Sequence, residues 1–75
     1  MQYFCDLKRH LICTPYSVEN LHKMAEYLGL KRCWYHRGKF LHYDIPKKRM
    51  IEIQNKCIIV TNRELLDIIK NAEIV

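Results

Sequence analysis

The segment from Ser17 to Gly29 constrains the fold most. Leu21, Met24, Ala25 and Leu28 recur at i, i+3, i+4 and i+7, the spacing of one apolar face of a helix. Ser17 stands where an N-cap is needed, after the turn-forming Thr14-Pro15-Tyr16, and Gly29 fits the left-handed stop just past the last turn. A helix with one apolar face must bury it against another layer. The runs around it supply that layer. Gln2-Tyr3-Phe4-Cys5 and His10-Leu11-Ile12-Cys13 read as short strands, and Cys33-Trp34-Tyr35-His36 is a further candidate before a turn at Arg37-Gly38-Lys39. Pro46 suits the first position of a second helix, with Met50, Ile53 and Cys57 on its apolar side. The β-branched run Cys57-Ile58-Ile59-Val60 predicts a buried strand. Thr61-Asn62-Arg63-Glu64 is a capping box that opens a third helix carrying Leu65, Leu66, Ile68, Ile69 and Ala72.

This alternation predicts a small α/β domain, a sheet of three to four short strands with three helices packed on it. At 75 residues the chain is one domain over residues 1–75. A core of that size contributes only about 3–5 kcal/mol of net stability, which makes a staple or a homo-oligomer an attractive supplement. The cysteines do not offer the staple. Cys5, Cys13, Cys33 and Cys57 show no C-x-x-C spacing and complete no zinc-finger pattern with a histidine. They read as reduced, which points to the cytoplasm. The stretch from Met1 to Leu7 is too short for a signal peptide and contains Asp6. No run approaches the ~18 apolar residues of a membrane span, so no membrane partner is expected. Hydrophobic residues at 49% argue against disorder. The net charge of +5 favours anionic partners.

The chain resembles domain-of-unknown-function family 4031, a group of short bacterial and phage proteins. The resemblance rests on Tyr3-Phe4-Cys5-Asp6, His10-Leu11-Ile12, Leu21-His22-Lys23-Met24-Ala25 with Leu28-Gly29-Leu30, His42-Tyr43-Asp44-Ile45-Pro46 with Arg49, and Val60-Thr61-Asn62-Arg63-Glu64-Leu65. It implies a fold and a site around these pieces but no activity. The loop at Lys8-Arg9 is shorter than in many members, and Asn55-Lys56 replaces their Ala-Gly. The stretch from Ile58 to Leu65 also resembles the strand-to-helix end of PIN-type nucleases, except that Asn62 stands where those place an acidic metal ligand.

The leading candidate site is His42-Tyr43-Asp44 followed by Lys47-Lys48-Arg49. A helix N-terminus carries roughly half a positive charge. Three basic residues in its first turn are unfavourable unless an anion joins them. Solvated side chains, with Asp44 as the helix cap, are the structural alternative. His42 near neutral pH is a candidate cation, proton carrier or metal ligand. His10 and His22 are further candidates, while His36 reads as surface. Trp34, Tyr35, Phe40 and Tyr43 interleave with Lys31, Arg32, Arg37 and Lys39. That mixture suits base stacking, though Trp34 equally suits the core.

These residues favour a binding module for a phosphate-bearing ligand, a nucleotide or a nucleic acid. Lys48 and Arg49 would hold phosphate, His10, His22, His42 and Asp44 would line the site, and Trp34 or Tyr43 would stack. No cofactor is required. The second hypothesis is a phosphoesterase or nuclease with His42, Asp44 and His10 in catalysis, and Asp6, His10, His42 and Asp44 as a divalent-metal set. The third is a protein-interaction or inhibitor domain.

Overall fold

The computed structural model describes residues 1–72. Five strands form one mixed sheet: β1 (Gln2–Cys5), β2 (His10–Thr14), β3 (Tyr35–His36), β4 (His42–Asp44) and β5 (Ile58–Ile59), in the order β3-β4-β2-β1-β5. Three helices accompany them, α1 (Val18–Leu28), α2 (Met50–Gln54) and α3 (Asn62–Ala72). The sheet therefore has more strands than the sequence predicts. The extra member is β4, hidden in the polar tripeptide His42-Tyr43-Asp44, while the candidate strand at Cys33-Trp34-Tyr35-His36 is present as β3 but shortened because Arg32–Trp34 turns into 3-10 helix. No helix among the described residues is long and apolar enough to cross a membrane.

The central strand is β2, which pairs antiparallel with both β1 and β4. Its Leu11, Ile12 and Cys13 are all fully buried, so both faces of the sheet are covered. Register decides which residues share a face, because side chains alternate along a strand and directly paired residues point the same way. Cys5 pairs with Leu11, Leu11 with Tyr43, and Tyr43 with Tyr35. This face meets α1, whose Leu21, Met24, Ala25 and Leu28 are buried. The opposite face carries His10 paired with Asp44 and His42 paired with His36. There α3 contributes Leu66 and Ile69 to a cavity shared with His10 and His42.

The end signals of the helices act as expected. Ser17 accepts from the Asn20 N–H at 3.0 Å. Gly29 sits at φ 73°, in the left-handed region, with its N–H on Glu26 and the Leu30 N–H on Ala25. This double bond is the Schellman closure. Thr61 and Glu64 form the capping box in both directions, each backbone N–H on the other's side-chain oxygen at 3.1 Å.

Two elements depart from expectation. Ile58 and Ile59 are 47% and 53% exposed, because β5 lies at the sheet edge beside β1 and is not buried on both sides. The second helix begins at Met50 and spans only five residues. Before it, Lys47–Arg49 close a 3-10 turn in which Arg49 N–H bonds to Pro46 and Met50 N–H to Lys47. The N–H groups of Arg49 and Met50 are thus engaged within the turn itself.

Candidate functional site

β1, β4 and β5 run in one direction, and their carboxyl ends lie along one rim of the sheet. Such rims are where α/β sheets place ligands. Asp6 follows β1, Asp44 ends β4, and Asn62 opens α3 just beyond β5. His10 joins them because β2 runs the opposite way and starts there.

Asp6 organises the rim. It is 1% exposed. Its Oδ1 accepts from the Lys8 and His10 backbone N–H groups at 3.0 and 2.9 Å. Its Oδ2 lies 2.9 Å from His10 Nδ1 and accepts from Asn62 Nδ2 at 2.8 Å. Burial alone would raise the carboxyl pKa, but the bonds from Asn62 and His10 outweigh it and hold Asp6 below its ordinary value. Asp6 is therefore a buried carboxylate with both oxygens engaged.

Next to it stand the imidazoles. The His10 and His42 rings meet edge to face with centroids 4.9 Å apart, and Phe40 packs against both. His42 Nδ1 lies 3.0 Å from the Phe40 carbonyl, and its Nε2 lies 3.1 Å from Asp44 Oδ1. A carbonyl only accepts, so Nδ1 carries a proton, and in the neutral ring Nε2 would then turn its lone pair toward the carboxylate. A cation between them, a proton or a metal ion, makes that contact attractive. The other oxygen of Asp44 lies 2.9 Å from His36 Nε2. Asp44 thus holds two histidines and does not cap the turn that follows it.

The rim opens into a cavity of about 600 Å³. His10, His42 and Asn62 form its polar wall, Phe40, Leu66 and Ile69 its apolar wall, and Lys8, Lys39 and Lys70 complete the lining. A smaller cavity of about 380 Å³ adjoins it, sharing Lys8 and Asn62 and reaching Asp6 and Thr61.

The residues singled out in the sequence divide into two groups. His10, His42 and Asp44 come together. His22, Tyr43, Trp34, Lys48 and Arg49 do not line this cavity. Alternation across β4 is the reason for Tyr43: it points to the α1 face, fully buried, with its hydroxyl 2.6 Å from His22 Nδ1. It has no free face for a base. Arg49 is engaged elsewhere. Its guanidinium donates to the carbonyls of Leu28 and Gly29 at 2.5 and 2.8 Å and to Glu52 at 2.6 Å. It closes the C-terminus of α1. Lys48 is exposed, and Trp34 packs against the core with Lys31 5.8 Å from its ring. In the metal set, Asp6 stands behind His10, while His10, His42 and Asp44 offer ligand atoms within 4.8 Å of one another.

Of the cavity's lining, Lys39 and Phe40 belong to the aromatic and basic cluster that the sequence offers for stacking, whereas Lys8, Lys70 and Asn62 were not selected from the sequence for this site. Lys8 and Asn62 had a usable signal, since each adjoins a predicted strand end. Lys70 had none, because a lysine late in a helix is ordinary.

A family model described as Protein of unknown function (DUF4031) matches residues 5–72. The chain belongs to this family. The match includes every residue of the rim and of both cavities. No curated protein and no solved structure matches the chain.

Proposed function

We propose that this DUF4031 domain binds a small phosphate-bearing ligand of mononucleotide size in the cavity at the carboxyl rim of its sheet. The observation that carries this reading is the convergence of Lys8, Lys39 and Lys70 on a pocket walled by His10, His42 and Asn62. Three lysines in the lining bring positive charge to one cavity, and an anion there offsets it. His10, His42 and Asn62 add hydrogen-bond donors or acceptors at the floor. Phe40 offers an aromatic surface, with Leu66 and Ile69 beside it. The volume of about 600 Å³ lies inside the range of ~300–1,000 Å³ that suits compact organic ligands. It holds one nucleotide, whereas a nucleic acid strand needs a groove that continues past the pocket.

Isothermal titration with a panel of nucleoside monophosphates, the matching nucleosides and short oligonucleotides tests this. The expected result is binding of at least one monophosphate, with its nucleoside at least tenfold weaker. Lys8→Ala combined with Lys70→Ala should weaken that monophosphate at least tenfold. Lys48→Ala, on a lysine away from the cavity, should leave it unchanged. Equal affinity for nucleotide and nucleoside, or indifference to the Lys8/Lys70 pair, would overturn the reading. Selective retention of oligonucleotides would replace it with a nucleic-acid interface.

A further inference from the structure

We infer that His10, His42 and Asp44 form a binding site for one zinc-class divalent cation, with an open coordination position toward the cavity. The inference does not depend on the phosphate reading. It rests first on composition. Two imidazoles and one carboxylate are the donor set that borderline transition ions favour, and imidazole disfavours magnesium and calcium. Three protein ligands also leave a position for solvent or a bound molecule.

Distance is the second ground. The three donor atoms lie within 4.8 Å of one another. Two ligands each ~2.1 Å from a tetrahedral ion lie about 3.4 Å apart. His42 Nε2 and Asp44 Oδ1, at 3.1 Å, are already near that spacing. Only the His10 ring has to close in.

The third ground is the ring of partners behind the ligands. Metal-binding histidines commonly give their second nitrogen to a carboxylate or carbonyl, which orients the ring and fixes the tautomer. Here Asp6 takes His10 Nδ1 at 2.9 Å, and the Phe40 carbonyl takes His42 Nδ1 at 3.0 Å. Both arrangements leave Nε2 as the nitrogen that can bind an ion. Asp44 is likewise held from behind, by His36 at 2.9 Å. Asn62 then steadies Asp6 at 2.8 Å.

The test uses tag-free protein stripped with a chelator and titrated with zinc chloride alone in phosphate-free buffer, followed by cobalt as an optical probe. One ion per chain is expected. Asp44→Asn replaces a half-buried side chain with its isostere, so folding, checked by circular dichroism, should persist while zinc affinity falls at least tenfold. His42→Gln should lose zinc to the same extent. His36→Gln should weaken it several-fold. Cys33→Ser should leave it unchanged, which separates this site from thiolate capture at the exposed cysteine. The Lys8→Ala/Lys70→Ala variant should bind zinc at least as tightly as the wild type, since it removes positive charge beside a cation, so failure of the phosphate reading and failure of this one give different results. Absence of zinc uptake by the wild type, unchanged affinity in folded Asp44→Asn, or loss on Cys33→Ser would each overturn the inference.

Discussion

His22 and Tyr43 show how one contact can carry pH dependence without belonging to the cavity. Burial raises the Tyr43 phenol above its ordinary pKa, so it stays protonated and donates to His22 Nδ1 at 2.6 Å. A protonated His22 could not accept that bond at Nδ1. Burial, joined by the nearby cations Arg32 and Arg37, also lowers the His22 pKa, against a smaller opposing pull from Glu26. The sign of the linkage follows. A folded-state pKa below the unfolded value of ~6.5 means the unfolded chain takes up the proton first. The stability contribution is whole above that value and is lost as pH falls through the folded pKa. Thermal melts of wild type and His22→Gln across pH 5 to 8 should therefore differ in slope. The wild type should lose more stability below about pH 6.5, and parallel curves would mean that this contact does not titrate. Gly29 makes a second point at this scale. Its φ of 73° strains any L side chain, while an added Cβ meets nothing closer than Arg49 Nη1 at 3.6 Å. Gly29→Ala should cost about 1–2 kcal/mol through backbone strain alone, read from denaturant unfolding.

Elements connect through Arg49. The Schellman closure satisfies the Ala25 and Glu26 carbonyls of α1, and the guanidinium then takes those of Leu28 and Gly29. One side chain before α2 thereby fixes α2 against the end of α1. Bonds from a charged donor contribute about 1.5–3 kcal/mol, so Arg49→Ala should destabilise by that order without changing affinity at the cavity. Arg49→Lys should restore little, since one ammonium cannot reproduce a planar fork across two carbonyls. An Arg49→Ala variant with wild-type stability and weakened ligand binding would return Arg49 to the role the sequence suggested. The helices themselves were legible because caps and apolar periodicity are local: Ser17, Gly29 and the Thr61–Glu64 box each act within a few residues. The role of Arg49 was not, because its partners lie 20 and 21 residues away. Strand β4 was missed for a related reason. His42-Tyr43-Asp44 has no apolar run, and only pairing with β2 and β3 makes it a strand.

At the scale of the molecule, the rim is a product of strand direction. Asp6 and Asn62 are 56 residues apart in the chain, yet parallel pairing of β1 and β5 brings them to 2.8 Å. The sequence suggested that His10, His42 and Asp44 share chemistry, but it treated His42-Tyr43-Asp44 as one unit. The sheet splits that unit, sending Tyr43 to the core and its neighbours to the rim. It could not indicate which of 13 Lys and Arg residues gather there, since Lys8, Lys39 and Lys70 come from three separate segments. Their convergence has a consequence for the whole domain. An anion that binds only the folded state stabilises it by mass action, by about 1.4 kcal/mol at ten times its dissociation constant. In a domain this small, each kcal/mol moves the melting midpoint by roughly 4–8 °C. Inorganic phosphate should therefore raise Tm by several degrees over sodium chloride at matched ionic strength. General screening acts equally in both salts, while phosphate also stabilises folded chains non-specifically by exclusion from their surface, so the part of the excess that depends on the cavity lysines reports specific occupancy. That part should vanish in Lys8→Ala/Lys70→Ala and persist in Lys47→Ala/Lys48→Ala, which removes the same charge from the turn before α2. If both double variants respond as the wild type does, the three lysines bind no phosphate, and the basic character of the domain acts only through its net charge.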